Sequence, residues 1–539
     1  MSGVTAIVSM LHEPAEPNSA TRRFRGLPVL RWTVERLGRA HRLGAVAVLC
    51  WDDQLAAVNP IASEGRADVI TRGARSRLAT VEAVAAARRW ADGWRGGLLS
   101  TCHFDLGFHG PWHHEVARQH QSDAVVLVDP SAALIDPALI DDLVAHAQQH
   151  AALELCFLPA APGLDSVLLR TALLARLADA NVHPGRLLHY HPDQVSREPL
   201  AAESCVPVPT PVARTTDRFT LDSNRQLRRI AAAVESLNGQ LISTGTEELV
   251  RRARGAAGPD ALPREIVLEL NTARSTTPIF SPARSLAIRR PDLRLDLARR
   301  LFGELAALDD TRLTLAGVGD PLLHPDVFAI MEAAKCEGNL SVHIETDLHE
   351  VSAEQLARLA AAPVDVISVH LPALSPQTYS AVMGCDGYLK VVDNIRRFAA
   401  ERHARGSLLP ILAPVFTKCR DNLGEMETWY DQWIRAVGSA VIRGPGDCAG
   451  QIPDVGVADM APPGRKPCAR IASRVSILCD GSVVSCEEDV LGRQVMGHLG
   501  TDSLREIWHG RFESLQAAHR AARWGQHDLC KGCREWHRP

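Results

Sequence analysis

Over the first 238 residues, short apolar runs alternate with stretches of helical period. The runs at 4–10, 44–50, 67–71, 96–101 and 123–129 are brief and rich in β-branched residues, as buried parallel strands are. Between them, 30–43 and 79–94 repeat apolar positions every three or four residues, which predicts helices on both faces of an open α/β sheet. A last helix, 224–239, is expected to end at Gly239. The stretch 252–263, rich in Gly, Ala and Pro, then reads as part of a linker spanning 239–263.

A second strand–helix series follows over 264–460. Its expected strands are 265–270, 312–317, 340–346, 364–370 and 408–415, with helices such as 292–308 and 325–338. Strict alternation of this kind predicts a partial or full (β/α) barrel. From 461 to 539 the pattern changes to short strands, turns and cysteines, so a third, small domain is expected there.

Composition changes this picture little. A chain of 539 residues exceeds what one core usually serves, and 46% hydrophobic with 23% charged residues is ordinary for a globular protein. A formal net charge of -4 gives no electrostatic footprint for nucleic acid or an anionic membrane. No apolar run is long enough to span a bilayer. The first apolar run lacks preceding basic residues, so it reads as a strand and not as an export signal. Thirteen cysteines in such a chain point to the reducing cytoplasm, where clustered thiols bind metal more often than they pair.

Eight of those cysteines stand singly between Cys50 and Cys448, and five fall between Cys468 and the end of the chain. Cys530 and Cys533 form a Cys-x-x-Cys pair that can present two thiolates from one turn. Cys468 and Cys486 can complete a four-thiolate site, with 476–486 forming a hairpin around Asp480–Gly481. Spacing alone fits structural zinc and an iron–sulfur cluster equally well.

The segment "CARIASRVSILCDGSVVSCEEDVLGRQVMGHLGTDSLREIWHGRF…LCKGC" resembles the SPASM domain that follows many radical SAM barrels. That resemblance implies one auxiliary [4Fe–4S] cluster on Cys468, Cys486, Cys530 and Cys533. Cys479 lies where the family needs no cysteine, so it is expected to pack or to be a spare ligand.

The preceding residues, 264–460, resemble the radical SAM barrel itself. "LTLAGVGDPLLHPDVFAIMEAAK" is similar to the strand end whose backbone holds the amino group of S-adenosylmethionine (SAM) in that family, which assigns Gly317, Gly319 and Asp320 to a SAM-type site. The first strand departs from the family. Where members carry Cys-x3-Cys-x2-Cys, this chain has Arg274, Pro278 and Ser281, and no cysteine occurs between Cys205 and Cys336. None of the three replacements is an iron ligand. The expectation is a barrel without its catalytic cluster, with SAM binding left open and reductive cleavage absent.

Residues 1–238 resemble, more weakly, the cytidylyltransferases that activate acidic sugars. "RFRGLPVLRWTVERL", "VVLVDPSAALIDPALIDDLVAHA" and "RFTLDSNRQLRRI" carry the likeness, which implies Mg²⁺ on Asp129 and Asp222 and a sugar nucleotide as ligand. Against it, the phosphate-loop region 9–26 is glycine-poor, Leu27 replaces the family's lysine, and residues 1–334 contain no lysine. Arg22, Arg23 and Arg25 are the remaining cations for a phosphate. The functions that follow are a non-radical iron–sulfur protein serving a peptide, sugar or protein partner in surface glycan or peptide modification, a sugar nucleotidyltransferase, and an active radical SAM enzyme.

Overall fold

The structure, a computed structural model, describes residues 3–91, 98–195, 198–254 and 261–538. The chain divides into two compact units, Met1–Gly258 and Pro259–Pro539.

The first unit is built on a six-stranded sheet. Its strands are β1 (Val4–Ser9), β2 (Ala45–Cys50), β3 (Asp68–Thr71), β4 (Ala124–Val128), β5 (Leu155–Phe157) and β6 (Val167–Arg170). The order is β3-β2-β1-β4-β6-β5, parallel from β3 to β4 and antiparallel at β6 and β5. Alternation along the strands feeds two cores. Val4, Ala6 and Val8 join Val46 and Val48 on one face, while Ile7 joins Ala47 and Leu49 on the other. Both faces are therefore covered, as the unbroken apolar runs predict.

Two expectations for this unit need correction. The run at 96–101 is not a strand: residues 98–100 form a short 3₁₀ turn, and 96–97 lie outside the described residues. The last helix, Asn224–Ala233, ends well before Gly239, and the chain runs on through a 3₁₀ segment, Glu235–Ser243, into a helix at Thr246–Ala253. Leu241, Leu249, Val250 and Ala253 pack with Phe219, Leu221 and Ile230. Most of the stretch expected as linker is thus part of the first unit's core, and residues 255–260 lie outside the described residues.

In the second unit six parallel strands follow in chain order: β7 (Glu265–Leu268), β8 (Arg312–Leu315), β9 (Ser341–Thr346), β10 (Val366–His370), β11 (Ile411–Thr417) and β12 (Val441–Arg443). The series does not close on itself. On its β7 side it is extended by β13 (Arg474–Ile477), β14 (Ser482–Val484) and β15 (Val495–His498), giving a nine-stranded sheet. This is a partial (β/α) barrel continued by the cysteine-rich segment. Val475, Ile477, Val483, Ile507, Trp508 and Phe512 from that segment belong to the same core as the barrel's Ile266, Leu268 and Leu313. Strand β12, absent from the expected set, is three residues long and half-buried, too short for a periodic signal. No helix among the described residues is long and apolar enough to cross a membrane.

Candidate iron–sulfur centre and the barrel mouth

The hairpin that carries Cys486 forms as its turn residues require. Gly481 sits at φ +91°, its N–H donates to Leu478 O at 2.9 Å, and the Asp480 carboxylate accepts from Ser482 N at 2.9 Å. Ser503 and Glu506 form a reciprocal cap at the start of Leu504–Ile507, which lays Ile507 and Trp508 into the core. The terminal knuckle is a tight turn in which Cys533 N donates to Cys530 O at 3.3 Å. Arg465 clamps the turn, donating to Cys530 O at 2.6 Å and lying over the Trp524 ring.

The four expected cysteines lie in one neighbourhood, with Cys530 near Cys468, Cys486 and Cys533. Cys530 packs with Cys468, Ile471, Leu515 and Trp524. Burial, followed by the neighbouring Cys533 and Cys468, pushes the Cys530 thiol up to about 11. Burial, then Glu488 and Cys468, brings Cys533 to about 11 as well. Cys486 is raised well above the ordinary thiol range by burial, Glu488 and Cys530. The shifts of Cys486, Cys530 and Cys533 favour their neutral thiols, whose protons a metal replaces when it binds. Among the described residues no three Cys, His, Asp or Glu side chains form a ready-made metal cage. The donor set still fits a cluster: four soft sulfur donors, Cys530 buried and the other three half-buried, beside Arg465 and Arg470. Cys468, Cys486, Cys530 and Cys533 would hold it, and a bound cluster supplies one-electron chemistry or a structural crosslink. Cys479 stands elsewhere, its sulfur 3.1 Å from Glu269 Oε1.

At the carboxyl ends of the barrel strands the donors are of another kind. Arg274 lies in a two-pronged ion pair with Asp347, Nε–Oδ2 and Nη2–Oδ1 both at 2.7 Å, and its Nη2 is 3.0 Å from His370 Nδ1. The Thr276 hydroxyl also bonds Asp347. The chain of charges continues through His370 Nε2, 2.8 Å from Arg443 Nη2, and through Arg443 to Glu345 at 3.0 Å. Burial would raise the Asp347 carboxyl, but Arg274 and His370 outweigh it and hold the group far below the usual carboxylate range. Glu345 is likewise held well down by Arg443 and His370 against its burial. Ser281 caps the short helix Pro282–Ser285, and Pro278 O accepts from Ser281 N at 2.9 Å.

Gly317, Gly319 and Asp320 do stand at a strand end, but their surroundings are committed. Val318 N donates to Glu269 Oε2 at 3.0 Å, and Asp320 N to Ala273 O at 2.8 Å. A Cβ on Gly319 would lie 2.0 Å from Asn271 Oδ1, so glycine lets this turn close onto the first-strand loop. Asp320 binds Thr346 Oγ1 and Asp347 N, both at 2.9 Å. The barrel mouth therefore does not fit the family's cluster: its three ligand positions hold a paired guanidinium, a proline and a helix cap. The sequence reading did not find Asp347, His370, Glu345 and Arg443. Their place at the ends of β9, β10 and β12 is the signal that points to them.

In the first unit Asp129 ends β4, with Oδ1 accepting from Ser131 N at 2.8 Å and Oδ2 3.7 Å from His12 Nε2. Asp222 is near in the fold, since Leu221 N donates to Ser131 O, but its carboxylate is ion-paired with Arg218. Arg22, Arg23 and Arg25, the cations expected to meet phosphate, donate to the carbonyls of Asp222, Gly26 and Val234.

Comparison with known proteins agrees with this division. A family model described as the SPASM iron–sulfur cluster-binding domain matches residues 468–534, and one for the radical SAM superfamily matches 280–418. The latter begins after Arg274 and Pro278, so two of the three altered ligand positions lie outside it. A protein of Treponema pallidum (strain Nichols), named only as uncharacterized, is 28% identical over 298 residues, covering 51% of this chain and 79% of its own. Among solved structures, Streptococcus suis SuiB bound to precursor peptide SuiA is 14% identical with a TM-score of 0.39, covering 54% of this chain and 76% of SuiB. BtrN in complex with AdoMet and 2-DOIA is 18% identical with a TM-score of 0.37, covering 50% and 93%. A cytidylyltransferase of Leptospira borgpetersenii is 15% identical with a TM-score of 0.33, covering 47% and 93%. The chain thus carries a radical SAM superfamily domain at 280–418, followed at 468–534 by a SPASM iron–sulfur cluster-binding domain.

Proposed function

We propose that this chain is an iron–sulfur protein with one [4Fe–4S] cluster, held by its SPASM cysteines, and a barrel that has lost reductive SAM cleavage. The observation that carries the reading is Arg274, paired through both arms with buried Asp347 where the family places its first cluster cysteine. A cluster needs a thiolate there, and a guanidinium locked to a carboxylate offers none. The barrel then acts as a binding scaffold beside the SPASM cluster, which serves as a structural or electron-relay element. The presence of a nucleotidyltransferase-like unit in the same chain supports a place in surface glycan or peptide modification.

Incubation of anaerobically purified protein with SAM and dithionite tests the loss of cleavage. No 5′-deoxyadenosine is expected above the level of a protein-free control. Formation of 5′-deoxyadenosine in proportion to protein concentration overturns the proposal.

A further inference from the structure

Among the described residues the nine-stranded sheet of the second unit has β12 at one edge and β15 at the other, and no strand pairing joins the two ends. Residues 444–456 leave the edge strand β12 and join it to the cysteine-rich segment, which extends the opposite end of the sheet. On the barrel side this strap has few ties. Arg420 N donates to Val455 O at 3.4 Å, Arg420 Nη1 donates to Asp454 O at 3.3 Å, and Gly456 forms an isolated bridge with Cys419.

On its other side the strap is held by the loops that carry cluster cysteines. Arg534, next to Cys533, donates through Nη2 to Asp447 Oδ2 at 2.8 Å and to Asp454 Oδ2 at 2.9 Å. Arg538 donates to Gly444 O at 3.0 Å and to Pro445 O at 3.2 Å. Gln451 Nε2 donates to the carbonyl of Glu488, two residues beyond Cys486, at 2.6 Å. A Cβ on Gly444 would lie 2.9 Å from Arg538 Nη2, and one on Gly446 would lie 3.3 Å from Glu488 Oε2, so glycine admits both approaches. Cys448 and Ile452 turn inward and are buried.

The segments that hold the strap have little structure of their own. Residues 485–489 form no helix or strand, and 534–538 contain one 3₁₀ turn, Glu535–His537. Ordering such segments costs backbone entropy, which a cluster joining Cys486 to Cys530 and Cys533 would offset as a crosslink. The path also leads back to the barrel mouth. Gly444 follows Arg443, whose guanidinium binds Glu345 at 3.0 Å and His370 Nε2 at 2.8 Å.

We infer that the cluster fastens a latch: while it is bound, the cysteine loops hold strap 444–456 against the cysteine-rich segment, and its loss releases the strap together with β12 and Arg443. This rests on the cluster reading proposed above and adds that cluster occupancy governs the order of the barrel's open edge.

Hydrogen–deuterium exchange of the full chain, purified without air and compared before and after a chelator removes its iron, tests the latch. Iron content and the electron paramagnetic resonance (EPR) signal are read on the same samples. Iron removal is expected to speed exchange in peptides covering 441–456 about tenfold or more, while β8, the central strand of the sheet, keeps its protection. The double variant Asp447→Asn, Asp454→Asn cuts the ties to Arg534 from the strap side and leaves every cysteine in place. It is expected to show the fast exchange while holding about four irons. Three results overturn the latch alone, given about four irons in the starting protein. These are unchanged exchange of the strap on iron removal, equal acceleration of β8, and wild-type protection in the double variant. Fewer than about one iron in the starting protein overturns the cluster reading, and the latch with it.

Discussion

The barrel mouth and the terminal cysteine site lie on one continuous sheet and solve the problem of buried charge in opposite ways. At the mouth, Arg274, Asp347, His370, Glu345 and Arg443 form one network in which the Asp347 and Glu345 carboxylates each have an arginine partner. At the cysteine site, three thiols are pushed to high pKa by burial and by one another, and Glu488 is itself raised to about 7 by burial. The first arrangement is complete without a ligand. The second calls for a cation to replace protons. A fold can therefore keep its strands while the charge at their ends decides which place takes a cluster.

The largest effect that sharpens this contrast is expected from Cys530→Ser. Iron content falls from about four to below about one per chain, read by colorimetric iron assay on anaerobically purified protein. Retention of full iron in this variant breaks the contrast, because the cluster then lies elsewhere.

Next comes the ion pair at the mouth. Asp347→Asn leaves the Arg274 charge buried and unpaired, and is expected to cost about 3–5 kcal/mol in urea unfolding. The exposure of the two side chains, 7% for Arg274 and 0% for Asp347, is what makes the effect large. A change below about 1 kcal/mol, as at exposed pairs, would show that the mouth is not sealed by this pair.

A smaller effect reports on the barrel strands through pH. Burial lowers the His343 ring to about 4, while an ordinary histidine in the unfolded chain takes up its proton near 6.5. The neutral ring contributes stability that is lost as pH falls from 6.5 towards 4. Asp347, depressed by Arg274 and His370 against its burial, adds a further loss only below its ordinary value of 3.8. Between pH 8 and pH 5 the second unit should lose about 1–2 kcal/mol through His343, and His343→Gln should make that slope shallower, with His519, which burial also lowers to about 4, keeping a remainder. An unchanged slope in the variant assigns the acid sensitivity elsewhere.

Cys479→Ala is expected to do least. It removes a sulfur packed against Glu269, costs about 1 kcal/mol in urea unfolding, and leaves iron content at the wild-type level. Loss of iron would make Cys479 a ligand after all.

Much of this was legible in the chain because it rests on local chemistry. The uninterrupted β-branched runs give β1, β2 and β4, the Asp480–Gly481 turn gives the hairpin, and the Cys-x-x-Cys pair gives the knuckle. What escaped depends on distant partners. Thr246–Ala253 has a strongly amphipathic pattern, but its Gly- and Pro-rich continuation masked a helix whose Leu249 and Val250 complete the first core. Arg274 is visible as a missing cysteine, yet its partner Asp347 lies 73 residues on, and no local spacing links them. Asp165 follows an unremarkable Pro-Gly-Leu. Its placement depends on Gly163 resting against Phe219, which only the folded chain shows.

Iron quantification combined with EPR spectroscopy of the dithionite-reduced protein, purified without air, tests the central claim most directly. The expected result is about four irons per chain and one reduced [4Fe–4S] signal that SAM does not perturb. About eight irons with a second signal shifted by SAM would contradict the sealed barrel mouth, and a colourless protein holding one zinc would contradict the cluster.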